Sequence, residues 1–409
     1  MCIRDRSTDA AADATTAATN AAPKGSKSLS ATRVGTISVS LNTATNTAAT
    51  AFVSKVEAVI SGAGYVVAVN AATPGSNGCP ANTSAAGLRS ASITTPGQQV
   101  VNFGVCADGT SGTGTYTIKV TDSDAVSYTL GTVTATFTDT AKTLAIASQN
   151  YTVAPELGGD LGYYATMGTR DASAKIPAMV LVTKDANGNA VTWTTNTPGG
   201  KSSNTAVLAG GTCAVDSNDA TYGSGGAGYY NCYVTSATSA KSGDTATIIW
   251  RVLNSDGVTY TELAAITYTI GGKIAKEVMS LNSTSYAAGA PMTLTVTATD
   301  AAGKPAYDGQ AVFAAQTTAN TNITGLPTTT LLTKSGTAVT KANTLFAPAT
   351  TGNFTIFGTG VDTAATAISV TSAVADGNAA LLTQIDALNA KIVALNALIA
   401  KIMKKLGVK

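Results

Sequence analysis

Met292-Thr293-Leu294-Thr295-Val296-Thr297-Ala298-Thr299, followed at once by Asp300-Ala301-Ala302-Gly303-Lys304, is the stretch that decides the fold. Apolar and hydroxyl side chains alternate until an Asp- and Gly-containing break ends the run. Successive side chains of a β-strand point to opposite faces, so the alternation describes a half-buried strand with threonines outside. Threonine suits that outer face because its branched Cβ packs well on a pleated surface. The same period of two carries Ile37, Val39 and Leu41; Tyr116, Ile118 and Val120; Val133, Ala135 and Phe137; and Ile266, Tyr268 and Ile270. Gly-, Asn- and Asp-rich breaks separate these runs, as in all-β sandwiches.

A longer period lies over the short one. Gly114-Thr-Tyr-Thr-Ile-Lys-Val120 resembles Gly228-Tyr-Tyr-Asn-Cys-Tyr-Val234, and both resemble Gly352-Asn-Phe-Thr-Ile-Phe-Gly358. The spacings, 114 and 124 residues, are each close to one immunoglobulin-like domain. Thr183-Lys-Asp185-Ala-Asn187-Gly-Asn189 echoes Ala298-Thr-Asp300-Ala-Ala-Gly-Lys304, each a turn after an apolar strand. The expected organisation is a leader over 1–27, sandwiches over 28–145, 146–273 and 274–375, and a helix over 376–409. Within the leader, Met1 to Arg6 resembles a translated sequencing-adaptor remnant, so further chain is expected before residue 7. Residues 7 to about 27 are Ala, Thr, Asp and Asn, too polar to bury a core.

The stretch from Ala287 to Gly360 resembles bacterial immunoglobulin-like domains of the invasin and intimin type. The resemblance rests on the Pro291-to-Asp300 strand, the Asp300-Ala-Ala-Gly-Lys-Pro turn, an Ala311-Val-Phe strand and the Gly352-Asn-Phe-Thr-Ile strand. The second domain matches more loosely, through Val180 to Val191 and Gly228 to Val234, and the first only at its Gly114 strand. The resemblance implies a sandwich used as a spacer or adhesive module, with no catalytic residues to carry over.

Composition narrows the function classes. Charged residues make up 12% of the 409 residues, against 44% hydrophobic, so hydroxyls and amides supply much of the polar surface. The net charge of +2 gives no electrostatic case for nucleic acid. Histidine is absent, which removes the commonest general base and metal ligand and forbids a Ser-His-Asp or Cys-His device. No enzyme is expected. No run of about 20 apolar residues is present, so no transmembrane helix is expected.

Cys2 falls in the adaptor-like remnant, leaving Cys79, Cys106, Cys213 and Cys232. Four cysteines allow three connectivities. Pairing Cys79 with Cys106 and Cys213 with Cys232 keeps each bridge inside one domain and points to an oxidising, extracellular compartment. Four buried thiols are the other reading.

After Asp376-Gly377-Asn378 the period changes. Leu381, Ile385, Leu388, Ile392, Leu395, Ile399, Ile402 and Leu406 are spaced alternately by four and three, a heptad seam. The helix would span about 39 Å. Ile385, Ile392 and Ile399 at a with Leu388 and Leu395 at d favour a parallel dimer, while Ile402 at d leaves a trimer open. Residues 376–409 hold five lysines and two aspartates. That basic end suits cell-wall polymer or lipid head groups, or simply the C-terminal helix dipole. Folding back on a sandwich is the alternative to self-association.

Other candidate chemistry is thin. Asp185-Ala-Asn187-Gly-Asn189 starts like a calcium loop but has Ala190 and Asn196 where glycine and glutamate belong. Asp122, Asp124, Asp216 and Asp219 leave a structural calcium ion conceivable without a motif for one. Gly223 to Gly228 has no phosphate-loop lysine behind it. Trp193 and Trp250 lie in strand-like runs that suit a core better than a sugar platform. The expectation is a structural protein of the bacterial cell surface, a surface-layer subunit or stalk, self-associating through its helix. An adhesin gripping a glycan or neighbouring surface protein is one alternative, and a phage or viral decoration or fibre protein another.

Overall fold

The computed structural model describes residues 23–41, 53–69, 78–79, 88–94, 100–162, 176–215, 227–376 and 379–406. It consists of tandem immunoglobulin-like β-sandwiches and one C-terminal helix. The chain divides into two compact units. The first comprises Met1–Ala145, Val182–Thr195 and Gly226–Tyr229, and the second Ile146–Leu181, Asn196–Gly225 and Tyr230–Lys409.

The first unit holds β1 (Lys24–Ser26), β2 (Gly35–Ser40), β3 (Val53–Gly62), β4 (Tyr65–Val69), β5 (Ser90–Thr94), β6 (Val100–Cys106), β7 (Gly112–Asp122) and β8 (Ser127–Thr138). One sheet runs β1-β8-β7-β3-β5 and the other β2-β6-β4. The alternating residues close the core between them: Ile37, Val39, Val56, Phe103, Tyr116, Ile118 and Phe137 are buried. β1 lies inside the stretch that reads as leader. It pairs parallel with β8, Lys24 opposite Thr136, and a strand of three residues is too short to show a side-chain period.

Next come β9 (Thr143–Gln149), β10 (Val153–Pro155), β11 (Asp160–Leu161), β12 (Met179–Lys184), β13 (Gly199–Ser202), β14 (Leu208–Val215), β15 (Tyr229–Ser236), β16 (Thr245–Leu253), β17 (Tyr260–Glu262) and β18 (Ile266–Gly271). They form one sheet in the order β10-β18-β16-β13-β14-β15-β12-β9, with β11 on β15 and β17 on β16. Gly200 and Gly211 stand opposite each other on β13 and β14. A Cβ on Gly211 would come within 2.6 Å of the Trp250 ring. Gly211 thus leaves room for this fully buried indole, while a Cβ on Gly200 would meet Ile248 instead.

The remaining strands are β19 (Lys276–Leu281), β20 (Ser285–Tyr286), β21 (Pro291–Met292), β22 (Leu294–Thr299), β23 (Thr318–Ala319), β24 (Thr337–Val339), β25 (Leu345–Phe346), β26 (Gly352–Thr359) and β27 (Ala367–Val374). Sheets β19-β22-β24 and β20-β27-β26-β23, with the pair β21-β25, enclose Met292, Leu294, Val296, Phe313, Phe354 and Ile356. The run from Met292 to Thr299 keeps its alternation but is not one strand. β21 pairs with β25 and β22 with β19 and β24, so the chain changes sheet at Thr293. Ala311-Val-Phe is not a regular strand either. Ala311 makes an isolated bridge to Leu332, and Val312 and Phe313 are both buried, which breaks the two-face pattern a strand needs.

Candidate interaction surfaces

Three aspartates head turns of one design. Oδ1 of Asp122 accepts the N–H groups of Asp124 and Val126, that of Asp185 those of Asn187 and Asn189, and that of Asp300 those of Ala302 and Lys304, all at 2.9 Å. In each turn the fourth residue has positive φ: Ala125 at 63°, Gly188 at 83° and Gly303 at 71°. Glycine meets that requirement without a Cβ clash, and alanine meets it at a cost. The carboxylate substitutes for a turn of backbone, which is why aspartate opens all three.

The second oxygens differ. Asp122 Oδ2 accepts from the Tyr128 hydroxyl at 3.3 Å. Asp185 Oδ2 accepts the N–H of Asp139 at 3.1 Å, and Asp300 Oδ2 accepts the N–H of Gly272 at 2.8 Å and the Ser242 hydroxyl. Asp139 and Gly272 are each the first residue after a long strand, β8 and β18. Burial alone would raise the Asp300 carboxyl, but the donors from Ser242, Gly272, Lys304 and Ala302 outweigh it and hold it below the ordinary carboxylate value. Asp185 shows the same balance, with Asp139, Asn189 and Asn187 as donors. The calcium-like residues are therefore occupied by N–H groups. Among the described residues, no group of three or more Asp, Glu or Cys side chains is placed to hold a metal ion. Asp216, Asp219 and Gly223 to Gly226 lie outside the described residues.

Cys79 is bonded to Cys106, with Cα atoms 5.9 Å apart, and Cys213 to Cys232, at 4.0 Å. Cys213 and Cys232 face each other across β14 and β15, so the bridge locks strands already in register. Trp193 and Trp250 are both buried, which removes them as sugar-stacking platforms.

The C-terminal helix, α1 (Ala379–Leu406), has 28 residues and ends with Lys404 and Lys405 in its last turn. Its seam side chains from Ile385 onward, together with Leu382, Val393, Leu398 and Met403, are between 41% and 71% exposed. The seam residue Leu381 lies in the helix, but its side chain falls outside the described set. Leucine, isoleucine and valine are mostly interior residues. An exposed apolar stripe of this length is a candidate interaction surface. No helix among the described residues is long and apolar enough to cross a membrane.

No family model matches the chain, and no curated protein does. Solved structures similar to parts of it include bacterial surface proteins. The Escherichia coli adhesin FdeC is 16% identical over 86% of this chain and 95% of that one, with a TM-score of 0.25. The S-layer protein SbsC is 17% identical over 66% of this chain and 33% of that one, with a TM-score of 0.18. The Yersinia pseudotuberculosis adhesin InvE is 13% identical over 57% and 58%, with a TM-score of 0.20. Likeness at this level says nothing of what the chain binds.

Proposed function

We propose that this is a non-catalytic structural protein of a bacterial cell surface, a surface-layer subunit or a stalk. The sandwiches act as spacers, and α1 joins copies through its Ile/Leu seam. One observation carries the reading: Ile392 is 49% and Leu388 59% exposed on α1, whereas Ile118, Ile248 and Leu294 in the sheets are fully buried. Leaving such a stripe in water costs roughly 25 cal/mol per Å² of apolar area, a cost that association removes. Two disulfides suit an oxidising, extracellular compartment. The absence of histidine removes the most common acid–base group.

Solution mass by light scattering tests this on the full chain and on a version stopped at Asp376. A discrete dimer or trimer that becomes monomeric on truncation supports assembly through α1. Monomers in both cases overturn it.

A further inference from the structure

The loop from Asp300 to Gln310 grips the chain that precedes β19 from two sides. On one side, Asp300 Oδ2 accepts the N–H of Gly272 at 2.8 Å and Tyr307 donates its N–H to the Gly272 carbonyl at 3.1 Å. Gln310 Oε1 accepts the N–H of Ile274 at 3.1 Å. On the other side, Asp308 Oδ2 accepts the N–H groups of Thr152 and Val153 at 2.7 and 2.8 Å, and Asp308 returns its own N–H to the Val153 carbonyl at 2.9 Å. The two gripped segments are neighbours, because β10 and β18 run parallel with Val153 opposite Thr269. There is no room for side chains on the gripped strand. A Cβ on Gly271 would lie 2.6 Å from the Pro305 carbonyl, and one on Gly272 would lie 3.0 Å from the Asp300 side chain. Asp308 is 2% exposed and Asp300 5%, so both carboxylates work where water competes little.

We infer that residues 300–310 form a clasp that locks the linker after β18, so that β10, β18 and the β19–β27 sandwich move as one body with no bound cation at the joint. A linker between independent domains is exposed and makes few contacts. This one has its backbone N–H groups taken by side chains of the next domain. A calcium ion at a joint supplies charge to neutralise carboxylates, and here backbone N–H groups, to which carboxylates bond strongly, do so instead.

Hydrogen exchange on the full chain, followed by mass spectrometry, tests the clasp. In the wild type, peptides covering 270–276 and 150–155 should be protected, equally in calcium and in EDTA. Asp300→Ala should speed exchange in 270–276 by at least tenfold, and Asp308→Ala should do the same in 150–155. The control is Asp122→Ala, which loses the same kind of turn without a linker contact and should leave 270–276 unchanged. Asp300→Asn keeps one acceptor in place and guards against a variant that fails to fold; it should give an intermediate rate. Fast exchange of 270–276 in the wild type, protection that appears only with calcium, or no difference between Asp300→Ala and Asp122→Ala at 270–276 would each overturn the inference.

Discussion

The same residue types live in two worlds in this molecule. In β16 and β22, Ile248, Trp250, Leu294 and Val296 are essentially sealed from solvent, each against a neighbouring strand. In α1, isoleucines and leucines at regular spacing stand half in water. The sheets bury their apolar face by folding, because the strands and loops of the same chain supply its cover. A single helix has no second layer of its own, and among the described residues nothing covers the apolar side chains of α1. Folding completes the first region, and under the proposed function assembly would complete the second.

Substitutions on the two sides of that contrast should behave differently. The largest effect belongs to the buried side. Trp250→Ala empties the space beside Gly211 and should cost about 3–5 kcal/mol, read as a lower denaturation midpoint with oligomer mass unchanged at temperatures where the protein is folded. Removing the Cys213–Cys232 bridge by a double serine substitution should cost about 3 kcal/mol, with an unfolding transition that no longer responds to reductant at that bridge. On the bare side, Ile392→Asp should weaken association at least a hundredfold, about 2.8 kcal/mol. The denaturation midpoint of the sandwiches, measured at a protein concentration where both forms are monomers, should not move. If Ile392→Asp instead destabilises the sandwiches, α1 is covered by its own chain and the contrast fails.

The smallest effect is a charged residue on the buried side. Glu277 is buried on β19, its Oε1 accepting the Val361 N–H at 2.7 Å while Oε2 has no hydrogen-bond partner. Burial, opposed by the backbone N–H groups of Val361 and Asp362 and assisted by the Asp362 charge, raises its carboxyl above the ordinary glutamate value. The folded state therefore favours the protonated form. Its contribution is full below the unfolded value and is lost as pH rises through the folded one. Glu277→Gln should gain about 1 kcal/mol at neutral pH, and the gain should disappear as the pH falls below the ordinary glutamate range. A gain that persists in acid would show that packing, and not charge, sets the difference.

Much of this architecture is legible in residue order where one side chain's fate depends on its near neighbours. The alternation at Ile37 to Leu41 and at Tyr116 to Val120 reports strands because the period of a strand is local. The Leu381-to-Leu406 spacing reports a helix for the same reason. What stays hidden depends on distant partners. β1 exists only because β8 lies alongside it. The run from Met292 to Thr299 does not announce that it changes sheet at Thr293, since both halves bury the same face. The turns at Asp122, Asp185 and Asp300 look alike in sequence and are alike internally. Their difference sits in the second carboxylate oxygen, whose donor is a short step away at Tyr128 but 46 residues away for Asp185 and 28 for Asp300.

The parallel pairing noted for β1 with β8 recurs in β10 with β18 and in β20 with β27. In each case an early strand is hydrogen-bonded, pointing the same way, to the last strand of its group. Pull on the chain from both sides and those two strands are dragged in opposite directions along their own axes. The bonds between them are then loaded in shear and must give way together, whereas a hairpin pulled open at its ends loses them one at a time. A chain fastened this way resists tension along its length with the hydrogen bonds it needs for folding anyway.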